Sequence, residues 1–171
     1  MAKRMRDPSL RRGPGVWWLA AALLALPAGP CPALAQGTVS VLPVQGLRFG
    51  TLSSGIPAVV SPMDGSRRAS IELVGSGAVT VSFELPSGLR VGTTGPILPL
   101  RFAADDGRIT FAKSARTIVF DPAGSVSFHI PPGIGGATVH LGGSAEPGPR
   151  QPPGSYSASI TVNVVVANSA T

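Results

Sequence analysis

Along most of the chain after residue 36, apolar and polar side chains take turns, which puts every second residue of an extended segment on one face. Val79, Val81 and Phe83 alternate with Ala78, Thr80 and Ser82. Leu98, Leu100 and Phe102 keep the same spacing, as do Ile109 with Phe111, Ile118 with Phe120, and Val126 with Phe128 and Ile130. The longest run is the last: Tyr156, Ala158, Ile160, Val162, Val164 and Val166 against Ser157, Ser159, Thr161 and Asn163. These predict strands with one dry face, the last ending at Val166. No stretch carries the i, i+3, i+4, i+7 stripe of an amphipathic helix.

The breaks between runs carry turn chemistry, since Gly accepts positive φ and Pro fixes φ while donating no ladder hydrogen bond. Asp105-Asp106-Gly107 suits a tight hairpin. Asp121-Pro122-Ala123-Gly124 separates another pair of strands, and Pro131-Pro132-Gly133 a further one. Gly142 to Gly154, rich in Pro and Gly, is expected to be a long, mobile connection. Many short strands at close spacing predict an all-β chain, an antiparallel sandwich of about seven to nine strands with immunoglobulin-like character.

The N-terminus follows a different rule. Lys3, Arg4, Arg6, Arg11 and Arg12 form a positive head, Val16 to Leu26 an apolar core, and Ala33-Leu34-Ala35 fits the small-x-small pattern of signal cleavage. The apolar run is too short to span a bilayer, which takes roughly 20 apolar residues. Residues 1 to 35 are therefore expected to be a cleaved signal peptide. Residues 36 to 171 would then be a single exported domain, in the periplasm, on the cell surface or outside, with no stable membrane anchor. Cys31 follows Pro30, where lipid attachment requires a small residue such as Gly or Ala.

Removing that segment changes the picture of charge. It holds five of the 14 basic residues and one of the eight acidic ones, so the formal charge falls from +6 to +2. The basis for nucleic-acid binding goes with it. Arg67-Arg68 is the one basic doublet left and fits an exposed turn. The sole cysteine and both tryptophans, Trp17 and Trp18, also lie in the segment, so no disulfide holds the processed chain. At about 136 residues it is long enough to bury a core of its own.

Candidate chemistry is sparse. His129 falls on the polar face of the strand that buries Phe128, and His140 alternates with Val139 and Leu141; both are expected to be solvated. Facing strands could pair them, but two ligands make a weak metal site. Asp105 with Asp106, and Asp64 before Gly65, fit turns better than a carboxylate pair or a calcium loop. No serine lies in a Gly-x-Ser-x-Gly elbow. Gly133 to Gly136 resembles a phosphate loop in composition alone, without the following Lys-Ser/Thr. No catalytic, cofactor-binding or metal-binding residue is expected, and no enzyme activity.

Three stretches carry a resemblance: Leu47-Arg48-Phe49-Gly50-Thr51-Leu52, which places an aromatic-Gly pair in an early strand; Val59-Val60-Ser61-Pro62 followed by Asp64-Gly65-Ser66-Arg67; and Gly154-Ser155-Tyr156 entering the last strand. Together, over nearly all of residues 38 to 167, they resemble a bacterial exported domain family of unassigned function that is similar to spore coat protein U and to fimbrial, pilin-like subunits. The resemblance implies a subunit that lacks one strand and receives it from a like subunit or a periplasmic chaperone, by strand addition along an open groove. The segment Thr38 to Val44 is the expected interaction element: it either donates to a neighbour or closes the chain's own sheet. The function expected is that of an exported structural protein acting through strand-mediated assembly or adhesion. The alternative is a monomeric periplasmic or secreted module that binds carbohydrate or a surface polymer, through loops such as Pro86 to Gly95 or Gly142 to Gly154. Against it, the processed chain has only seven aromatic residues to serve as sugar platforms.

Overall fold

A computed structural model of the chain describes residues 38–167. The expected signal peptide, with Cys31 and both tryptophans, lies outside the described residues. Within them most of the alternating runs become strands, the exceptions being Phe102 and the Tyr156 to Ile160 part of the last run, and no helix forms. In chain order these are β1 (Val39–Gln45), β2 (Ala58–Val60), β3 (Ala69–Gly75), β4 (Gly77–Glu84), β5 (Gly88–Arg90), β6 (Ile97–Arg101), β7 (Gly107–Phe111), β8 (Ser114–Phe120), β9 (Ser125–Ile130), β10 (Gly136–Leu141), β11 (Gly143–Ala145) and β12 (Thr161–Ala167). The pairings between them are antiparallel. They build a five-stranded sheet in the order β1-β3-β10-β7-β8, a four-stranded sheet β2-β11-β6-β5 and a three-stranded sheet β12-β4-β9.

The architecture is all-β and sandwich-like. Leu73, Ala137, Val139, Ile109, Phe111 and Phe120 of the five-stranded sheet pack with Val79, Val81, Phe128 and Ile130 of the three-stranded one. Burying an aliphatic or Phe side chain of this size contributes roughly 1.5–3 kcal/mol. Phe111 meets Phe128 edge-on with centroids 6.0 Å apart, and Phe83 stacks on Phe120 at the same distance. A second cluster gathers Leu98, Leu100 and Ala145 with Phe49, Leu52, Leu89, Phe102 and Tyr156. The chain passes from the five-stranded to the three-stranded sheet at Gly75-Ser76-Gly77, where both glycines have positive φ, 137° and 131°.

Several expectations need correcting. There are twelve short strands, because continuous runs break: β10 stops at Leu141 and resumes as β11 after Gly142. Asp105-Asp106-Gly107 does not close a hairpin. It turns a corner, with the Ala103 N–H donating to Asp106 Oδ2 at 2.7 Å, between β6 and β7, which lie in different sheets. Leu47 to Leu52 is not a strand but a loop whose Phe49 and Leu52 are drawn into the second cluster. Gly142 to Gly154 is not loose: it contains β11, Ala145 is fully buried, and the Pro147 and Gly148 carbonyls accept from the Gly55 N–H. Apolar demand outweighed the Pro and Gly content there. The turn at Asp121 forms as expected, its Oδ1 accepting from the Ala123 N–H at 2.8 Å, and carries the chain from β8 to β9 in the other sheet.

Gly107 of β7 stands opposite Phe120 of β8 in the ladder between them. A Cβ there would lie 2.5 Å from the Phe120 carbonyl oxygen and 2.7 Å from its ring, whereas one at Gly65 would meet nothing within 4 Å. Gly107→Ala is expected to destabilise the protein by about 1–3 kcal/mol, and Gly65→Ala by less than about 0.5 kcal/mol. Thermal unfolding followed by circular dichroism checks both.

Candidate functional site

The five-stranded sheet has two strands more than the three-stranded sheet that packs against it. β1 is an edge strand of the first sheet and β12 of the second, each paired on one flank alone. Val41 stands opposite Leu73 in the β1–β3 ladder and so faces inward with it, yet Val41 is 43% exposed while Leu73 is 0%. On β12 the alternation is intact, but Val162, Val164 and Val166 are only half-buried. Between the edges lies a groove of about 420 Å³, with Pro43, Ile71, Phe83, Leu89, Ile160 and Val162 in its walls. An open edge beside an apolar groove offers main-chain hydrogen bonds and side-chain pockets to an extended segment together.

The segment Thr38 to Val44 closes the chain's own sheet in this structure. Val39 to Gln45 pairs with β3 from Gly75 back to Ser70, with an irregularity between Pro43 and Gln45. It forms a wall of the groove and leaves Val41, Leu42 and Val44 exposed.

The two histidines sit in different sheets and are not brought together. His129 is exposed, as expected. His140 is not solvated but 4% exposed. It lies on the outer face of the five-stranded sheet, where the turn at residues 61–68 brings Arg68 and Gly65 over it. Asp64 organises that turn: its Oδ1 accepts from the Ser66 hydroxyl at 2.7 Å and the Ser66 N–H at 3.1 Å, and its Oδ2 from Arg67 Nε at 2.7 Å. The Ser66 and Arg67 hydrogen bonds hold the carboxyl down to about 2. Arg67 is the exposed turn residue expected of the doublet, whereas Arg68 is half-buried.

The His140 ring is held at both nitrogens, Nδ1 by the Ser70 hydroxyl at 3.1 Å and Nε2 by the Thr110 hydroxyl at 3.0 Å. Burial, with the charges of Arg68 and Arg108 beside it, lowers its pKa to about 4. So placed, it is a weak base toward Ser70. Ser70 and Thr110 were not singled out by sequence. The signal for Ser70 was there in Ala69, Ile71 and Leu73 alternating with Ser70 and Glu72, which puts both polar residues on the outer face. Asp106, beside Asp105, is half-buried and its pKa is raised by that burial. Among the described residues no group of three or more His, Cys, Asp or Glu is placed to hold a metal ion. Gly133 to Gly136 links β9 to β10 and enters the latter at Gly136. Comparison with protein-family models, with curated proteins and with solved structures finds no match for this chain.

Below pH about 6.5 an unfolded chain takes up a proton at His140 that the folded chain refuses until pH about 4. Stability present above that window is therefore lost as the pH falls through it, by up to about 3 kcal/mol. His140→Gln is expected to flatten this decline and His129→Gln to leave it unchanged. Urea unfolding measured across the window is the check.

Proposed function

We propose that the domain is an exported, non-enzymatic structural subunit, fimbria-like or coat-like, of the immunoglobulin-like and pilin-like sandwich type. It takes up a strand from a like subunit or a periplasmic chaperone in the groove between β1 and β12. The observation that carries this is the apolar groove walled by Pro43 of β1 and Val162 of β12, with Val41 exposed on the inner face and the β12 valines half-buried. A strand added along β12 would bury both and satisfy an open edge. Export rests on the N-terminal sequence and on the resemblance.

A second reading, a monomeric binding module for carbohydrate or a surface polymer, draws on β1 closing its own sheet. The loops first suggested for it serve structure instead: Pro86 to Gly95 contains β5, and Gly142 to Gly154 contains β11.

Strand uptake predicts that protein purified from the periplasm shows heat-sensitive multimers on an unboiled denaturing gel, or a co-purified chaperone. Pro43 is exposed at the groove wall, so Pro43→Asp places a charge there with little effect on thermal stability and should remove those species. A lone monomer band from the unsubstituted protein, with no partner, would overturn the assembly reading.

A further inference from the structure

The turn at residues 61–68 roofs a histidine and braces the groove at the same time. On the outer face of the five-stranded sheet it brings Gly65 and Arg68 over a hollow in which the His140 ring lies 4% exposed. Other residues of that face, Glu72 on β3 and Thr117 and Val119 on β8, stay exposed. The roof, more than the sheet, is therefore what keeps water from the imidazole. The same turn holds the end of β1: Gln45 Nε2 donates to the Arg68 carbonyl at 2.9 Å, and the Arg48 N–H to the Arg67 carbonyl at 2.8 Å. Gln45, Gly46, Leu47 and Phe49 wall the apolar groove, so two hydrogen bonds tie the groove to the roof of His140.

The charged groups facing His140 are Arg68 from the turn, Arg108 opposite it on β7 and Glu72 from β3, with the Ser70 and Thr110 hydroxyls on its two nitrogens and no titratable residue on β1. Asp64 and Arg67 of the turn pair with each other. A proton on the ring sets three positive charges against one carboxylate in a place closed to water. Arg68 Nε is already buried there with no partner among the described residues. Lifting the turn admits water to both groups, and the ring then takes its proton near 6.5 instead of about 4. By linkage, acid favours whichever state exposes the ring. Residues 61–68 lie between β2 and β3, so lifting them breaks no strand pairing. Asp64, held down to about 2, keeps its charge throughout, and the turn moves with its internal hydrogen bonds intact. Asp106 acts in the opposite sense, because its raised pKa makes acid favour the folded arrangement around it.

We propose that the turn at residues 61–68 is an acid-released clasp on the groove: protonation of His140 lifts it, and with it the hold on Gln45 and Arg48 at the groove wall. The clasp is a property of the fold; its bearing on assembly rests on the groove being the place of strand uptake.

Amide hydrogen exchange followed by NMR on the purified protein, with no partner present, reads the clasp at the Arg48 N–H. Its protection, corrected for intrinsic exchange, is expected to fall by up to about twentyfold from pH 7 to pH 5 and to level off near the pH at which the His140 ring titrates. The fall should depend little on low concentrations of urea, since a local opening exposes little surface. His140→Gln should abolish it and His129→Gln should retain it. If His140→Gln does not fold, the unsubstituted protein decides: a fall that levels off at the midpoint of the His140 ring resonances supports the clasp, and one that levels off elsewhere overturns it. The proposal is also overturned if Arg48 protection is the same at both pH values, if it falls equally in His140→Gln, or if it falls only with the steep urea dependence of the core amides of β3 and β10. Strand uptake is read separately, from the multimers on the unboiled gel, so either idea can fail without the other.

Discussion

Apolar contact between the inner faces of the five-stranded and three-stranded sheets is what the domain depends on. The described residues contain no cysteine and therefore no disulfide, and the described ion pairs are exposed ones, a class worth little to stability. Leu73, Ile109, Ile130 and Val139 must hold the two layers together by exclusion from water. Around that contact the chain crosses repeatedly between sheets, at Gly75 to Gly77, at Asp121 to Gly124 and at Pro131 to Gly135. Each sheet is thus tied to the other by covalent links at its ends as well as by its inner surface.

The same contact explains where the surface is incomplete. Three strands cannot cover five, and inner-face residues on the edge strands β1 and β12 stay partly exposed. Val41 shows it most clearly, since its direction is set by pairing with a fully buried leucine and its exposure by the absence of anything opposite. The sheet's outer face is built on another principle. A turn organised by Asp64 covers His140, and a set of hydroxyls replaces water around the imidazole.

Much of the fold could be read from local alternation, because a strand with one dry face writes its period directly into the chain. The runs at Val79 to Phe83, Ile109 to Phe111, Ile118 to Phe120, Val126 to Ile130 and Val162 to Val166 all became strands in which the expected face turned inward, whereas the Tyr156 to Ile160 part of the last run did not. What local pattern does not contain is which strands become neighbours. For that reason Asp105-Asp106-Gly107 suggested a hairpin although β6 and β7 part company, and His140 suggested solvent although a turn some 70 residues earlier lies over it. The Gly142 to Gly154 stretch failed for a related reason. Its glycines allow close approach of other chain segments, which composition alone does not separate from looseness.

Tyr156 packs in the second cluster, donates its hydroxyl proton to the Pro152 carbonyl at 2.7 Å and accepts from Gln151 Nε2 at 2.7 Å. It is also the chain's only tyrosine, and both tryptophans precede residue 36. In a product cut at that point, intrinsic ultraviolet emission comes from a single phenol at one end of the domain. An optical melting curve taken from that emission reports the environment of Tyr156, while amide absorption reports the strands at large. Any difference between the two curves measures how independently the smaller cluster comes apart.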